Sequence, residues 1–115
     1  MFRTAVAAAH PSACLPAHLP TAPAAGHLII LAAGKAAGSM TEVAEQHYAA
    51  AGVADARILG LAVTRHGYGR PTRLVPVVEA GHPVPDAAGL EATEKTLWLA
   101  DGATVDDLVL VLLSG

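Results

Sequence analysis

The chain has 115 residues, 53% of them apolar, with seven Lys and Arg against ten Asp and Glu and a net charge of −3. That length suits one small domain rather than two, and that apolar share argues against intrinsic disorder. A net-negative chain with no basic run and 3% aromatics offers no nucleic-acid surface, and no apolar run reaches membrane-spanning length. The one cysteine, Cys14, excludes an internal disulfide and is compatible with a reducing cytoplasm, the expected location. The six histidines show no His-x-His or HExxH spacing, so no metal site is assigned.

The start, MFRTAVAAAHPSA, resembles a weak signal peptide, but its apolar core is short and His10-Pro11 interrupts it. A short amphipathic helix over Phe2 to Ala9 is expected instead, ended by Pro11, with another helical turn within Ser12 to Leu19. Residues 1–25 form a helical lead-in, and Thr21 to Gly26 is a linker into the first strand. Leu28-Ile29-Ile30-Leu31 is a continuous apolar run, the signature of a strand buried on both faces. Ala32-Ala33-Gly34 lets the backbone turn. A helix follows to about Ala51, with Ala36, Met40, Val43, Ala44 and His47 as its apolar face. Arg57 to Thr64 is the second strand, in which Gly60 either weakens the strand or marks close packing against a helix. Arg65 to Pro71 is an exposed loop.

Arg73 to Glu79 reads as a third strand, placed at an edge or bulged because Pro76 cannot donate to a ladder. Ala80 to Pro85 is a stiff loop. Asp86 is a good N-cap for a helix to about Ala100, with Leu90, Leu97 and Trp98 among its core candidates. Leu108 to Leu113, the most hydrophobic strand, should be central and runs into Ser114-Gly115. The order helix, β, α, β, β, α, β gives an α/β fold. It is a mostly parallel, Rossmann-like open sheet with helices on both faces, incomplete in 115 residues.

Three loops then follow apolar strands and should share the carboxyl edge, where open α/β sheets bind ligands. The first, Gly34-Lys35-Ala36-Ala37-Gly38-Ser39, is not a P-loop, because Ala36 follows Lys35 and no glycine lies five residues before Gly34. It is not a dinucleotide fingerprint either. Of the positions held by Ala32, Gly34 and Ala37, one is glycine, and Thr64-Arg65 stands where an acidic residue is required. Lys35 has two readings: a solvated lysine, or an anion-binding cation whose placement against the helix dipole is otherwise unfavourable. The second loop carries Glu79, His82 and Asp86, suited to acid, base or hydrogen-bond roles or, for Asp86, to capping alone. The third carries Arg65, whose fork suits a carboxylate or phosphate.

LAAGKAAGSM, GLAVTRHGYG, VEAGHPVPDAAGL and DDLVLVLLSG, in this order, resemble the N-terminal domain of bacterial glycerate 2-kinases, a family also labelled hydroxypyruvate reductase. The resemblance runs from about Gly26 to Gly115. It implies an ATP- and magnesium-dependent enzyme that phosphorylates the 2-hydroxyl of D-glycerate to give 2-phosphoglycerate, with its site in a cleft between two domains. It implies Lys35 as the active-site residue, acting on charge at the glycerate carboxylate or the transferring phosphoryl group. Gly34, Gly38, Arg65, His82 and Ser114 are then candidates for substrate or phosphate binding. In the family the LVLVLLSG strand continues into further glycines and a second domain. The 115 residues are therefore read as a fragment, expected to be inactive alone. An NAD(P)H-dependent hydroxypyruvate reductase and a non-catalytic module that binds a small anion or a partner chain remain alternatives, and a homo-oligomer is left open.

Overall fold

A computed structural model describes residues 15–80 and 87–114. Four strands form one sheet: β1 (Leu28–Ala33), β2 (Ile58–Arg65), β3 (Val77–Ala80) and β4 (Leu108–Leu113). Helix α1 (Ala37–Ala50) joins β1 to β2, and α2 (Ala87–Asp101) precedes β4. The strand order is β3-β2-β1-β4, and every pairing is parallel. Leu28 is level with Ile58 on one side and Leu108 on the other.

Side chains alternate across a strand, so this register decides the two faces. Leu28, Ile30 and Ala32 share one face with Ile58, Ala62 and Leu112, and there they pack against Ala37, Ala44 and Tyr48 of α1. On the other face Ala92 of α2 lies beside Leu61 and Val78. Helices on both faces of a parallel open sheet agree with the sequence reading. Among the described residues, no helix is long and apolar enough to cross a membrane.

Among the described residues β1 is hydrogen-bonded on both sides and β4 pairs with β1 alone, so the strand expected to be central lies at the edge of this part of the sheet. Hydrophobicity reports coverage above and below a strand, but lateral position depends on which side of β1 the chain returns to. α2 packs on β2 and β3, so Val109, Val111 and Leu113 are exposed on that face. The expected core residues Leu90, Leu97 and Trp98 are exposed too, at 65%, 58% and 73%. An Ala-rich helix lets small residues approach a sheet closely, and α2 buries Ala92 instead.

The buried stripe of α1 also differs from the expected one. It runs through Ala37, Thr41, Ala44, Glu45 and Tyr48, about one residue round from the purely apolar reading, because three of its members are polar. Glu45 is 3% exposed. Its carboxylate accepts the N–H groups of Arg73 (2.9 Å), Leu74 (2.6 Å) and Val75 (2.7 Å). Those bonds explain why the third strand is short. Residues 73–75 are held by α1 instead of the sheet, Val75 enters the core at 1% exposure, and pairing with β2 begins at Val77. β3 lies at an edge, as Pro76 required. Parallel neighbours are usually joined by a helix; here a loop pinned by one buried carboxylate takes that place.

Gly60 sits against a strand rather than a helix: a Cβ there would meet the Ile30 carbonyl oxygen at 2.0 Å. The lead-in retains one turn of 3-10 helix, Pro16–His18; the expected Phe2–Ala9 helix and the Asp86 cap lie outside the described residues. Tyr48 donates from its hydroxyl to the Pro20 carbonyl at 2.7 Å, and burial raises its pKa. At the amino edge Asp107 accepts the N–H of His27 (2.7 Å) and of Thr104 (2.9 Å), joining the start of β4 to the start of β1.

Two predictions follow from these carboxylates. Glu45→Ala leaves three amides without an acceptor and should cost roughly 3 kcal/mol; Glu45→Gln, which keeps one carbonyl oxygen, should cost less. Urea unfolding measures both. The backbone donors hold the Asp107 carboxyl below its usual value. A depressed folded pKa gives stability that is present above the unfolded value, about 3.9, and lost as pH falls through the folded one. The urea midpoint of the wild type should exceed that of Asp107→Asn near neutrality, and the gap should close in acid.

Candidate functional site

The strand order turns back at one place. From β1 the chain steps outward to β2 and β3, then returns to the far side of β1 as β4. The space between β1 and β4, beyond their carboxyl ends, is the topological switch point, the place where ligands of open α/β sheets bind. Gly34-Lys35-Ala36 leaves β1 there, and Ser114 follows β4.

The turn is tied to both neighbours. Gly34 donates its N–H to the Val63 carbonyl of β2 at 3.1 Å, and Ser114 donates its N–H to Ala33 at 3.0 Å. Gly34 has φ +112°, and a Cβ on it would meet the Ser114 carbonyl oxygen and Oγ at 2.3 Å. No side chain fits. The N-cap of α1 is Ala36, which has no side-chain oxygen to offer. Ser114 Oγ supplies one from 78 residues away, accepting the Ala36 N–H at 2.9 Å. From the other side the Thr64 hydroxyl donates to the Lys35 carbonyl at 3.3 Å.

Lys35 is exposed, and no ion pair engages its ammonium among the described residues. Arg65, the last residue of β2, lies at the same sheet edge, half-buried, with its guanidinium 5.3 Å from the Tyr68 ring centroid. The two cations at the carboxyl edge thus follow or end adjacent strands. Arg70, also in the third loop, is already paired: its Nε and Nη2 both reach Glu42, at 3.1 and 2.9 Å. Its aliphatic part covers Gly38, where a Cβ would meet Arg70 Cγ at 2.7 Å. Glu79 accepts the Gly67 N–H at 2.7 Å, which fixes the loop after β2. His82 and Asp86 lie outside the described residues.

A family described as a domain of unknown function, DUF4147, matches residues 1–115. The chain belongs to the DUF4147 family. Its match falls in the N-terminal region of proteins named glycerate 2-kinase and hydroxypyruvate reductase. An Agrobacterium vitis protein named "Putative hydroxypyruvate reductase" is 36% identical over all of this chain and 25% of its own length. "Glycerate 2-kinase" of Pyrococcus horikoshii is 36% identical over 78% of this chain and 19% of its own length. The solved structure of glycerate kinase from Thermotoga maritima superposes with a TM-score of 0.78 and 31% identity over 98% of this chain and 26% of that one. A second solved structure, from P. horikoshii, gives 0.82 and 28% over 99% and 27%. The chain thus spans between about a fifth and about a quarter of the length of these relatives.

Thr64 opens the TRHG loop that the resemblance places at the cleft, but what its hydroxyl does there is not visible in the sequence. At the end of a buried strand a threonine reads as a β-former, and only the strand register brings its hydroxyl to the turn. Gly34→Ala should destabilise the fold by about 1–2 kcal/mol from backbone conformation alone, and by more because Ser114 must move. Denaturant melts of the variant and the wild type measure the difference.

Proposed function

We propose that this domain forms one wall of the active site of an ATP-dependent kinase that phosphorylates the 2-hydroxyl of D-glycerate, giving 2-phosphoglycerate. The observation that carries the reading is the exposed Lys35 ammonium at the switch point, on the first turn into α1, with no ion-pair partner among the described residues. The relatives named glycerate 2-kinase support it. In the reaction the 2-hydroxyl oxygen bonds to the γ-phosphorus, the bond to the ADP oxygen breaks, and the hydroxyl proton passes to water. Negative charge accumulates where the two anionic reactants meet. A fixed cation in a crevice lowers that barrier by being in place before the reaction starts. Lys35 takes that role, on the glycerate carboxylate or the transferring phosphoryl group, and Arg65 offers a planar fork to the other anion.

ATP supplies the phosphoryl group. Magnesium in such reactions rests largely on phosphates and water. Among the described residues no group of three or more His, Cys, Asp or Glu comes together for a cation, so no residue is assigned to it. A cytoplasmic setting, where ATP is held, fits this reading. The second reading, reduction of hydroxypyruvate with NAD(P)H, is favoured by the names of two relatives and opposed by the single matching glycine among the three fingerprint positions.

The assay is made on the protein at the length of its relatives, because catalysis by positioning needs both walls of the cleft. ADP release with glycerate and ATP is expected, without oxidation of NADH by hydroxypyruvate. The reverse outcome establishes the reductase. Lys35→Ala should lower kcat/KM about a hundredfold or more. Lys35→Arg should restore little, because a planar fork does not replace a compact ammonium at a tight turn. Normal kinetics in Lys35→Ala remove Lys35 from the mechanism.

A further inference from the structure

The Lys35 carbonyl and the Ala36 N–H belong to one peptide group. In a trans peptide they point in opposite directions from one rigid plane. Thr64, in β2 on one side of β1, donates its hydroxyl to that carbonyl. Ser114, beyond β4 on the other side, accepts that N–H with its hydroxyl. One peptide plane is therefore gripped at both ends by hydroxyls from the two strands that flank it.

We propose that Thr64 and Ser114 are positioning residues, which fix the orientation of the Lys35–Ala36 peptide and through it the direction in which Lys35 leaves the turn. The inference rests on Lys35 being the charge-handling residue of the kinase reading. Three observations carry it. The Ala36 N–H stands at the start of α1, ahead of the helix's own hydrogen bonds, so its acceptor must come from elsewhere, and Ser114 Oγ is that acceptor. Thr64 is 3% exposed, and a buried hydroxyl without a partner is costly, so its bond to Lys35 resists loss. Gly34, immediately before, has no Cβ to limit its backbone. The Ala37 N–H bond to the Gly34 carbonyl (3.1 Å) closes the turn at its ends but makes no bond to its central peptide, which the two hydroxyls hold. Lys35 is a long side chain on a turn whose own sequence, Gly-Lys-Ala-Ala, supplies no side-chain hydrogen bond. Its aim is therefore set by neighbouring strands.

Two measurements test this separately from the kinase reading. In the 115-residue chain, amide hydrogen exchange reports the plane directly. Ser114→Ala should speed exchange of the Ala36 amide about tenfold or more while the amides of β1 keep their protection. Unchanged Ala36 exchange overturns the proposal, whatever the enzyme does. In the protein of full relative length, Thr64→Val removes the donor at nearly constant volume, and Thr64→Ser keeps it. Thr64→Val and Ser114→Ala should each lower kcat about tenfold or more with KM moved less than about threefold, the scale of a small misplacement, and Thr64→Ser should stay close to wild type. In a Lys35→Ala background the same two substitutions should have no further effect on kcat, because they act through Lys35. A full additional loss in that background, or a Thr64→Ser enzyme as slow as Thr64→Val, assigns the hydroxyls to general stability and overturns the proposal. If no kinase activity exists in any form, the kinase reading fails and the exchange result still decides whether the clamp is real.

Discussion

Gly34 and Ser114 approach so closely that no side chain fits between them, and the arrangement of the sheet's carboxyl edge depends on that contact. It requires β1 and β4 to end level, which the parallel register from Leu28–Leu108 to Ala33–Leu113 provides. It requires glycine at the turn, because a Cβ would meet backbone and hydroxyl of Ser114 together. In return the end of β4 caps the start of α1. Two segments nearly eighty residues apart become one small structure, and a lysine stands on it at the point where the strand order reverses.

Carboxylates already engage other donors at and beside this edge. Glu42 takes Arg70, Glu79 takes the Gly67 amide, and Glu45 takes three amides of the segment leading to β3. Three acids thus hold the β2–β3 crossover in a shape that a helix would otherwise give. Lys35 is left without a carboxylate partner among the described residues. That selective pairing gives the edge a local positive charge in a chain whose net charge is −3, and it suits an anionic reactant.

Much of this was legible in the sequence, and the failures share a cause. Leu28–Leu31 and Leu108–Leu113 announced parallel strands because both faces of such strands are apolar. Pro76 announced an edge because it lacks a donor. The stripe of α1 was misplaced because Thr41, Glu45 and Tyr48 look like solvent-facing residues until the amides of residues 73–75 and the Pro20 carbonyl are known to meet two of them. Within residues 15–114 β4 is an outer strand rather than a central one, because hydrophobicity does not encode lateral order. Lys35 and Gly34 could be picked out because an unfavourable charge and a small residue stand out locally. The role of Thr64 could not, because it is a long-range hydrogen bond that only the β1–β2 register creates.

The central claim is that the switch point between β1 and β4 is where this domain meets an anion. Titration of the 115-residue chain with inorganic phosphate, followed by amide NMR shifts, tests it most directly. The account predicts saturable shifts concentrated on residues 34–38 and lost in Lys35→Ala. Shifts confined to the opposite end of the sheet, around His27 and Asp107, or shifts at 34–38 that persist without the lysine, would contradict it.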